Sequence, residues 1–197
     1  APGLLPNYRS GFKFGPSEIK DSMQWDGLWD VYSDRPMGSC AEECTTKYKL
    51  TREKQDEFSI ESFKRAQKAQ ELGYFKNEIT PVTIKGRKGD VVVENDEGPS
   101  KANFSKMPEL KPAFDKKGTI TAANASTLND GAAAIVMTKK KYKDKAKFKI
   151  HSYASHAQDP NWFTTAPIEA MKKNLKLAKL SVKDIDLFEI NEAFAAV

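Results

Sequence analysis

Two short polar segments carry the side chains best suited to chemistry. Asn124 is followed closely by Ser126, and Asn191 opens the sequence Asn-Glu-Ala-Phe. Each segment follows a stretch typical of a β-strand, and α/β proteins place their ligands at the ends of strands. An amide or hydroxyl there can orient a carbonyl or a water. Asn191 also stands where a helix would begin, so capping alone would explain it, and both readings stay open at this point.

The cysteines and histidines suggest no metal centre. Cys40 and Cys44 are spaced to share one face of a helix, but a zinc site needs about four ligands. The two histidines, His151 and His156, lie far along the chain and are not spaced as a ligand pair. We expect two reduced thiols in a helix and histidines in structural, hydrogen-bonded roles, although either histidine has the chemistry of a general base.

Composition narrows the classes of protein. The chain has 197 residues, of which 39% are hydrophobic and 30% charged, a balance typical of a globular domain. No stretch approaches the ~20 apolar residues of a membrane helix, so we expect no membrane insertion. The net charge of +5 favours anionic partners. The basic run 139–149 is compatible with nucleic-acid binding, but it connects two expected strands and is interpreted as a solvated connection.

Periodicity predicts the elements that would position these residues. Helices are expected near 17–26, over 51–72 and over 165–178, with Gly73 ending the second. A hairpin is expected around 9–15, and strands at 79–84 and 90–94. Further strands are expected at 118–123, 132–138, 148–154 and 187–190. Strands interleaved with helices predict an α/β protein with a buried sheet.

Several segments together resemble one family. The sequence of 187–195, Leu-Phe-Glu-Ile-Asn-Glu-Ala-Phe-Ala, resembles the Asn-Glu-Ala-Phe signature of thiolases. The stretch 118–134 looks like the thiolase segment that returns from the loop domain to the core. Residues 37–42 and 51–56 resemble the start of the helical part of that loop domain, and 85–90 and 112–118 also fit. Within that family the chain most resembles the biosynthetic acetoacetyl-CoA thiolases, or acetyl-CoA acetyltransferases.

The resemblance implies a fold and a domain plan. The fold class is α/β, a thiolase-like fold that is incomplete, with an inserted loop domain and parts of the two mixed-sheet half-domains. Residues 1–124 correspond to the loop domain, which provides tetramerisation and CoA binding. Residues 125–144 correspond to the returning strand region of the N-terminal half, and 145–197 to the beginning of the C-terminal half.

The resemblance also implies acyl transfer through a cysteine acyl-enzyme. The family's nucleophilic cysteine would precede residue 1, and its Gly-His-Pro histidine and second cysteine would follow residue 197. We therefore expect the chain to be the middle portion of a longer protein, without activity by itself. Asn191 matches the family asparagine that holds an oxyanion-hole water. No covalent cofactor is implied, and coenzyme A thioesters are the substrates.

Other positions match family contacts with coenzyme A. The positions that match contacts with the pantetheine are Leu28, Met37, Ser126 and Leu128. The wall near the acyl group is matched by Ala193 and Phe194. Near the adenine nucleotide, the matching position is Lys101.

Three positions depart from family patterns. Pro36 stands where many relatives have a histidine, so a contact on the pantetheine side is missing. Phe63 stands where the potassium-activated mitochondrial enzymes have tyrosine, which argues against potassium activation because phenylalanine offers no oxygen ligand. Those enzymes have Phe-Pro at 163–164, where this chain has Phe163 and Thr164, and this argues against acceptance of 2-methyl-branched acyl chains.

Assembly and location follow from the same resemblance. Residues 4–21 correspond to the loop through which family members form homotetramers. The mitochondrial matrix is the expected compartment, with the cytosol as the alternative. Two other functions stay open, a 3-ketoacyl-CoA thiolase of fatty-acid β-oxidation and a non-catalytic thiolase-like subunit of a larger assembly. A basic nucleic-acid-binding domain is the remaining alternative, and it predicts binding that weakens steeply with salt.

Overall fold

The computed structural model describes residues 1–197 apart from the side chains of Lys140, Lys141 and Lys143. The α-helices are α1 (Ser22–Gly27), α2 (Met37–Tyr48), α3 (Arg52–Glu71), α4 (Glu97–Ser100) and α5 (Ala166–Ala178). The strands are β1 (Gly3–Leu4), β2 (Lys20–Asp21), β3 (Trp29–Asp30), β4 (Arg35–Pro36), β5 (Val82–Ile84) and β6 (Val91–Val93). Turns of 3-10 helix lie at Met107–Glu109, Lys140–Lys145, Pro160–Thr165 and Val182–Asp184.

The chain forms two compact units. The first unit comprises Ala1–Tyr48, Leu128–Asn191 and Ala196–Val197, and the second comprises Lys49–Thr127 and Glu192–Ala195. Each unit therefore draws on separate stretches of the sequence. In the part of the chain that the structure describes, no helix is both long and apolar enough to cross a membrane.

The first unit is built from short hairpins and two longer helices. β1 pairs antiparallel with β2, and β3 pairs antiparallel with β4. Helix α1 begins directly after Asp21, whose side chain accepts a hydrogen bond from the N–H of Met23. Helix α2 follows β4 without a connecting residue, and it packs against the 3-10 turn Pro160–Thr165, which leads into α5.

The second unit is organised around helix α3. The Thr51 side chain caps the helix by accepting from the N–H of Lys54, and Gly73 follows the helix with a left-handed φ of 70°. Only residues without a Cβ adopt that φ at no steric cost, which is why the helix ends at a glycine. β5 and β6 pair antiparallel in register Val82↔Val93. Ile120 and Thr121 are fully buried.

Predictions based on local signals are confirmed. Helix α3 lies within the predicted segment 51–72 and ends before Gly73 as predicted, and α5 occupies 166–178 of the predicted 165–178. The hairpin of β5 and β6 lies inside the predicted strands 79–84 and 90–94. Ser181 and Asp184 form a capping box that opens a short 3-10 helix.

The predicted strands at 118–123, 132–138, 148–154 and 187–190 are wrong for this structure. A strand needs a neighbour for its backbone N–H and C=O groups, and among the described residues none forms a ladder with these stretches. Val136 is 94% exposed, so the apolar run 132–138 is not covered. At residues 118–123, the burial of Ile120 and Thr121 explains the pattern without a strand.

The N-terminal predictions were misplaced. The ladder that closes the N-terminal loop joins residues 3–4 with 20–21, rather than lying around 9–15. The helix predicted near 17–26 begins only at Ser22, because Asp21 is its N-cap. Lys20 and Asp21 themselves form strand β2. The dense prolines and glycines of this region obscure helical periodicity, which accounts for the error.

Candidate functional site

Asn124 is the centre of a buried hydrogen-bond network in the second unit. Only 2% of its surface is exposed. Its Oδ1 accepts from the N–H of Thr121 at 2.7 Å, and its Nδ2 donates to Asp56 Oδ1 and to the carbonyl of Thr119, each at 3.0 Å. Three bonds nearly exhaust the capacity of one amide. The side chain of Asn124 is therefore committed to holding the loop 119–124 against helix α3.

The carboxylate that receives Asn124 is itself paired. Arg52 Nε donates to Asp56 Oδ2 at 2.7 Å, one helical turn away on α3. The same guanidinium donates to the carbonyls of Met107 at 2.6 Å and Leu110 at 3.0 Å. Buried charges are tolerated when they are paired and hydrogen-bonded. This ion pair anchors a second loop to α3 and gives Asn124 a rigid neighbour.

The backbone beside Asn124 holds the Asn-Glu-Ala-Phe segment. The N–H of Ala195 donates to the carbonyl of Asn124 at 2.8 Å, and the N–H of Ser126 donates to the carbonyl of Ala193 at 2.9 Å. The Phe194 ring meets the Phe114 ring edge-on, with centroids 6.0 Å apart. The structure therefore brings together three residues for which the resemblance to thiolases predicts substrate contacts, Ser126, Ala193 and Phe194.

A second pair of predicted contacts meets in the first unit. The N–H of Met37 donates to the carbonyl of Leu28 at 2.9 Å, across the hairpin of β3 and β4. Leu28 is 42% exposed and Met37 is half-buried. Both apolar side chains are placed at the start of helix α2, where they remain accessible to a ligand.

The remaining predicted residues are solvent-exposed. Asn191 lies at the surface of the first unit, directly before the held segment 192–195, and Leu128 is 65% exposed. Lys101 follows α4 in the second unit and forms an ion pair with Glu97, whose pKa the ammonium lowers through a hydrogen bond. Any phosphate that binds Lys101 would therefore compete with Glu97.

The two cysteines are unsuited to nucleophilic catalysis. Cys40 is fully buried in helix α2, and Cys44 is 2% exposed. Burial raises the pKa of the Cys40 thiol; the charge of Arg35 partly offsets this effect, and the Asp30 carboxylate near the sulfur adds to it. Only the thiolate is a strong nucleophile. Both residues are free thiols on one face of α2, as their spacing predicts.

Sequence reasoning missed the residues that support the site. Arg52 and Asp56 were not singled out, although an Arg and an Asp four residues apart on a predicted helix are a recognisable ion pair. The side-chain contact between Ser62 Oγ and Glu192 Oε2, at 2.6 Å, also joins α3 to the held segment. Its partners lie 130 residues apart, so no local pattern indicates it.

Comparison with known proteins identifies the family. The model of the thiolase N-terminal domain matches residues 1–141, and that of the thiolase C-terminal domain matches residues 144–197. The chain belongs to the thiolase family. Curated thiolase relatives include "Acetyl-CoA acetyltransferase" of Cupriavidus necator, 48% identical over all of this chain and 51% of the relative. Another is "Acetyl-CoA acetyltransferase 2" of Arabidopsis thaliana, 44% identical over all of this chain and 50% of the relative.

Solved thiolase structures share the fold. The acetyl-CoA acetyltransferase of Bacillus anthracis superposes with a TM-score of 0.90 at 41% identity, covering all of this chain and 51% of its own. The Acat5 thiolase of Ascaris suum, solved in complex with coenzyme A, superposes with a TM-score of 0.87 at 41% identity. The match covers 99% of this chain and 50% of the Ascaris chain. The chain thus spans about half the length of these relatives. Its fold is mixed α/β with small sheets, a partial thiolase fold.

Proposed function

We propose that this chain is part of an acetyl-CoA C-acetyltransferase. The reaction would be the Claisen condensation of two acetyl-CoA molecules to acetoacetyl-CoA, or the reverse thiolysis. The observation that carries the proposal is the backbone pairing of residues 124–126 with 193–195. It holds the family's signature segment beside Ser126. The names of the relatives, and the coenzyme A complex of the Ascaris suum thiolase, support the same activity.

The proposed chemistry proceeds in two steps. A cysteine thiolate, supplied from outside these residues, attacks the thioester carbonyl, and the coenzyme A thiolate leaves. A base then removes a proton from the α-carbon of a second acetyl-CoA. The resulting carbanion attacks the acyl-enzyme carbonyl, and the cysteine thiolate leaves as acetoacetyl-CoA forms. Neither Cys40 nor Cys44 supplies the nucleophile, because both are buried in helix α2.

Asn191 has the proposed role of stabilising negative charge. Charge develops on a thioester oxygen in both steps, and fixed hydrogen-bond donors there lower the barrier. An amide suits this role because it orients a water without introducing a charge. Asn191 is exposed, so a water can reach its side chain. The segment that follows it, 192–195, is fixed by backbone hydrogen bonds.

The coenzyme A contacts divide along the length of the ligand. Leu28, Met37 and Leu128 would face the apolar part of the pantetheine, and Ser126 would hydrogen-bond one of its amides. Ala193 and Phe194 would form the wall beside the acyl group. Lys101 would pair with a phosphate of the nucleotide, exchanging its present partner Glu97 for the ligand.

A broader acyl specificity is the second candidate. A relative from Staphylococcus aureus, 45% identical over all of this chain, is named "Probable acetyl-CoA acyltransferase". The name "acyltransferase" does not restrict the transferred group to acetyl, and this favours a 3-ketoacyl-CoA thiolase as the alternative. Rates with 3-ketoacyl-CoA substrates of increasing chain length would separate the two. A non-catalytic subunit would show no rate with any of them.

The name of one relative bears on the compartment of the protein. We infer the mitochondrial matrix, with the cytosol as the alternative. One relative, "Acetyl-CoA acetyltransferase erg10A, mitochondrial" of Aspergillus fumigatus, is 44% identical over all of this chain and 47% of the relative. Cell fractionation with an antibody against this chain would distinguish the two compartments.

Replacement of Asn191 tests the proposed activity. In the full-length protein that contains these residues, Asn191→Ala should lower kcat for acetoacetyl-CoA thiolysis by about 10²–10³-fold, as expected for the loss of one oxyanion donor. KM for coenzyme A should change little. Asn95→Ala, at an exposed position in the second unit, is the matched control and should keep full activity. Equal rates for both variants would refute the role of Asn191.

A further inference from the structure

The 3-10 turn Pro160–Thr165 is held firmly against helix α2 in the first unit. It contains Phe163 and Thr164, where the resemblance places Phe-Pro in the enzymes that accept 2-methyl-branched acyl chains. Thr164 is 4% exposed, and its hydroxyl has no hydrogen-bond partner among the described residues. The position of this turn is therefore set by other side chains.

Three side chains join the turn to α2 in a closed ring, which we call the clamp: Arg35, Glu43 and Asn161. Arg35 Nη1 pairs with Glu43 Oε1 at 2.6 Å. The Asn161 carbonyl accepts from Arg35 Nη2, and the Asn161 amide donates to Glu43 Oε2. Each member of the clamp thus contacts the other two.

The amide of Asn161 is well suited to closing this ring. It accepts from the guanidinium through its oxygen and donates to the carboxylate through its nitrogen, so two separate atoms of one planar group serve the two partners. An aspartate would turn a second carboxylate toward Glu43, and a leucine would remove both of the hydrogen bonds that Asn161 makes. Charge-assisted bonds of this kind are directional, so the clamp fixes orientation even where water reaches it.

A cation on an aromatic ring reinforces the same contact. Lys47 Nζ, one turn after Glu43 on α2, lies 4.0 Å from the centroid of the Trp162 ring. On the other side of the turn, the Gln158 amide donates to the carbonyl of Trp162 and, at 2.8 Å, to Thr165 Oγ1. Residues 163–164 are therefore held between two sets of hydrogen bonds.

The clamp also reaches the proposed coenzyme A contacts. Arg35 lies in β4, two residues before Met37, and Glu43 lies on the helix that Met37 begins. We propose that Asn161 is a positioning residue for acyl-chain selection: its amide joins Arg35 to Glu43 and so sets the place of residues 163–164 relative to Met37. This inference rests on the proposed thiolase function and adds a determinant of its substrate range.

The first measurement needs no enzymatic activity. In Asn161→Leu, backbone amide exchange of residues 162–165 should become about tenfold faster, while exchange in helix α3 of the second unit stays unchanged. Asn161→Gln keeps both a donor and an acceptor and should restore most of the protection. Asn77→Leu adds the same apolar side chain at an exposed position and is the matched control. Unchanged exchange in Asn161→Leu would overturn the clamp.

The second measurement addresses selection in the full-length protein. The ratio of kcat/KM for acetoacetyl-CoA to that for 3-ketohexanoyl-CoA should shift about fivefold or more in Asn161→Leu, mainly through KM. Glu43→Leu should give the same shift, and the double variant no more than either alone, because all three break one ring. An unchanged ratio would overturn the positioning role. Absence of thiolysis in the wild-type protein would refute the proposed function, and this inference with it.

Discussion

Asn124 is 2% exposed, and its side chain bonds to the N–H of Thr121, the carbonyl of Thr119 and the carboxylate of Asp56. An unsatisfied buried group loses its hydration without compensation, so each of these partners depends on the amide. The function proposed for Ser126 and Phe194 therefore depends on the buried Asn124 as well.

Replacement of Asn124 should be strongly destabilising. Asn124→Leu keeps the branched shape of the side chain but removes all three hydrogen bonds of the buried amide, for a loss of about 3 kcal/mol or more in the free energy of unfolding. Urea denaturation of the chain, followed by circular dichroism, measures it. Asn95→Leu at an exposed site should change stability by less than about 0.5 kcal/mol. A similarly small change in Asn124→Leu would contradict the network.

The residues of the candidate site differ in how far the sequence predicts them. Ser126, Ala193 and Phe194 were predicted from motifs, and the structure brings them together. Asn161 was not predicted, because its partners Arg35 and Glu43 lie 126 and 118 residues away. A hydrogen bond across such a separation depends on the tertiary fold, and neither residue type nor spacing reveals it. The role of Asn191 stays a prediction.

Helices and strands differ in how well the sequence predicts them, for a related reason. The limits of α3 are set within the segment itself, by the Thr51 cap and by Gly73. The hairpin of β5 and β6 is also local, since its strands are neighbours in sequence. The stretch 132–138 has the composition of a buried strand, yet no ladder reaches it in the described part of the chain. Strand composition is local, whereas strand pairing is not.

The contact between helix α2 and the turn at 160–165 should depend on pH. Two hydrogen bonds lower the pKa of Glu43: the bond from Asn161 has the larger effect, and the bond from Arg35 the smaller. An unfolded glutamate takes up its proton near pH ~4.3, and the folded one only at lower pH. The stabilisation is therefore complete above pH ~4.3 and is lost as the pH falls through the folded pKa.

Fluorescence of Trp162 can follow this titration. With Trp25→Phe and Trp29→Phe, Trp162 is the one remaining tryptophan of the three in the sequence. Its emission should change below pH ~4.3, because the clamp opens and Lys47 leaves the ring. In the same background, Glu43→Gln should remove that transition. A transition that persists unchanged in Glu43→Gln would assign it to another carboxylate.

At the scale of the whole molecule, the loop closed by β1 and β2 is the clearest surface for assembly. Its apolar side chains face solvent in the chain, with Tyr8 75% and Ile19 66% exposed and Phe14 fully so. Apolar side chains clustered on an exposed loop mark an interaction site. They support the proposal that residues 4–21 form the contact of a homotetramer.

A charge in this loop should break the proposed tetramer. In the full-length protein, Phe14→Asp would bury a carboxylate in an apolar contact, so the mass measured by sedimentation should fall to that of a dimer or smaller. Phe58→Asp is the matched control, because Phe58 is 47% exposed on helix α3, outside the proposed contact. A tetramer that survives Phe14→Asp would remove residues 4–21 from the interface.

The pairing of residues 124–126 with 193–195 has a consequence for biosynthesis. During translation, Asp56 and Asn124 leave the ribosome well before Ala195, yet the second unit includes all three. The first unit likewise cannot form until Leu128–Asn191 has been synthesised, long after Ala1–Tyr48. Neither unit can complete its native contacts while the nascent chain is short, because closing such loops requires both of their ends. We therefore expect the nascent chain to depend on chaperones until Ala195 has emerged from the ribosome.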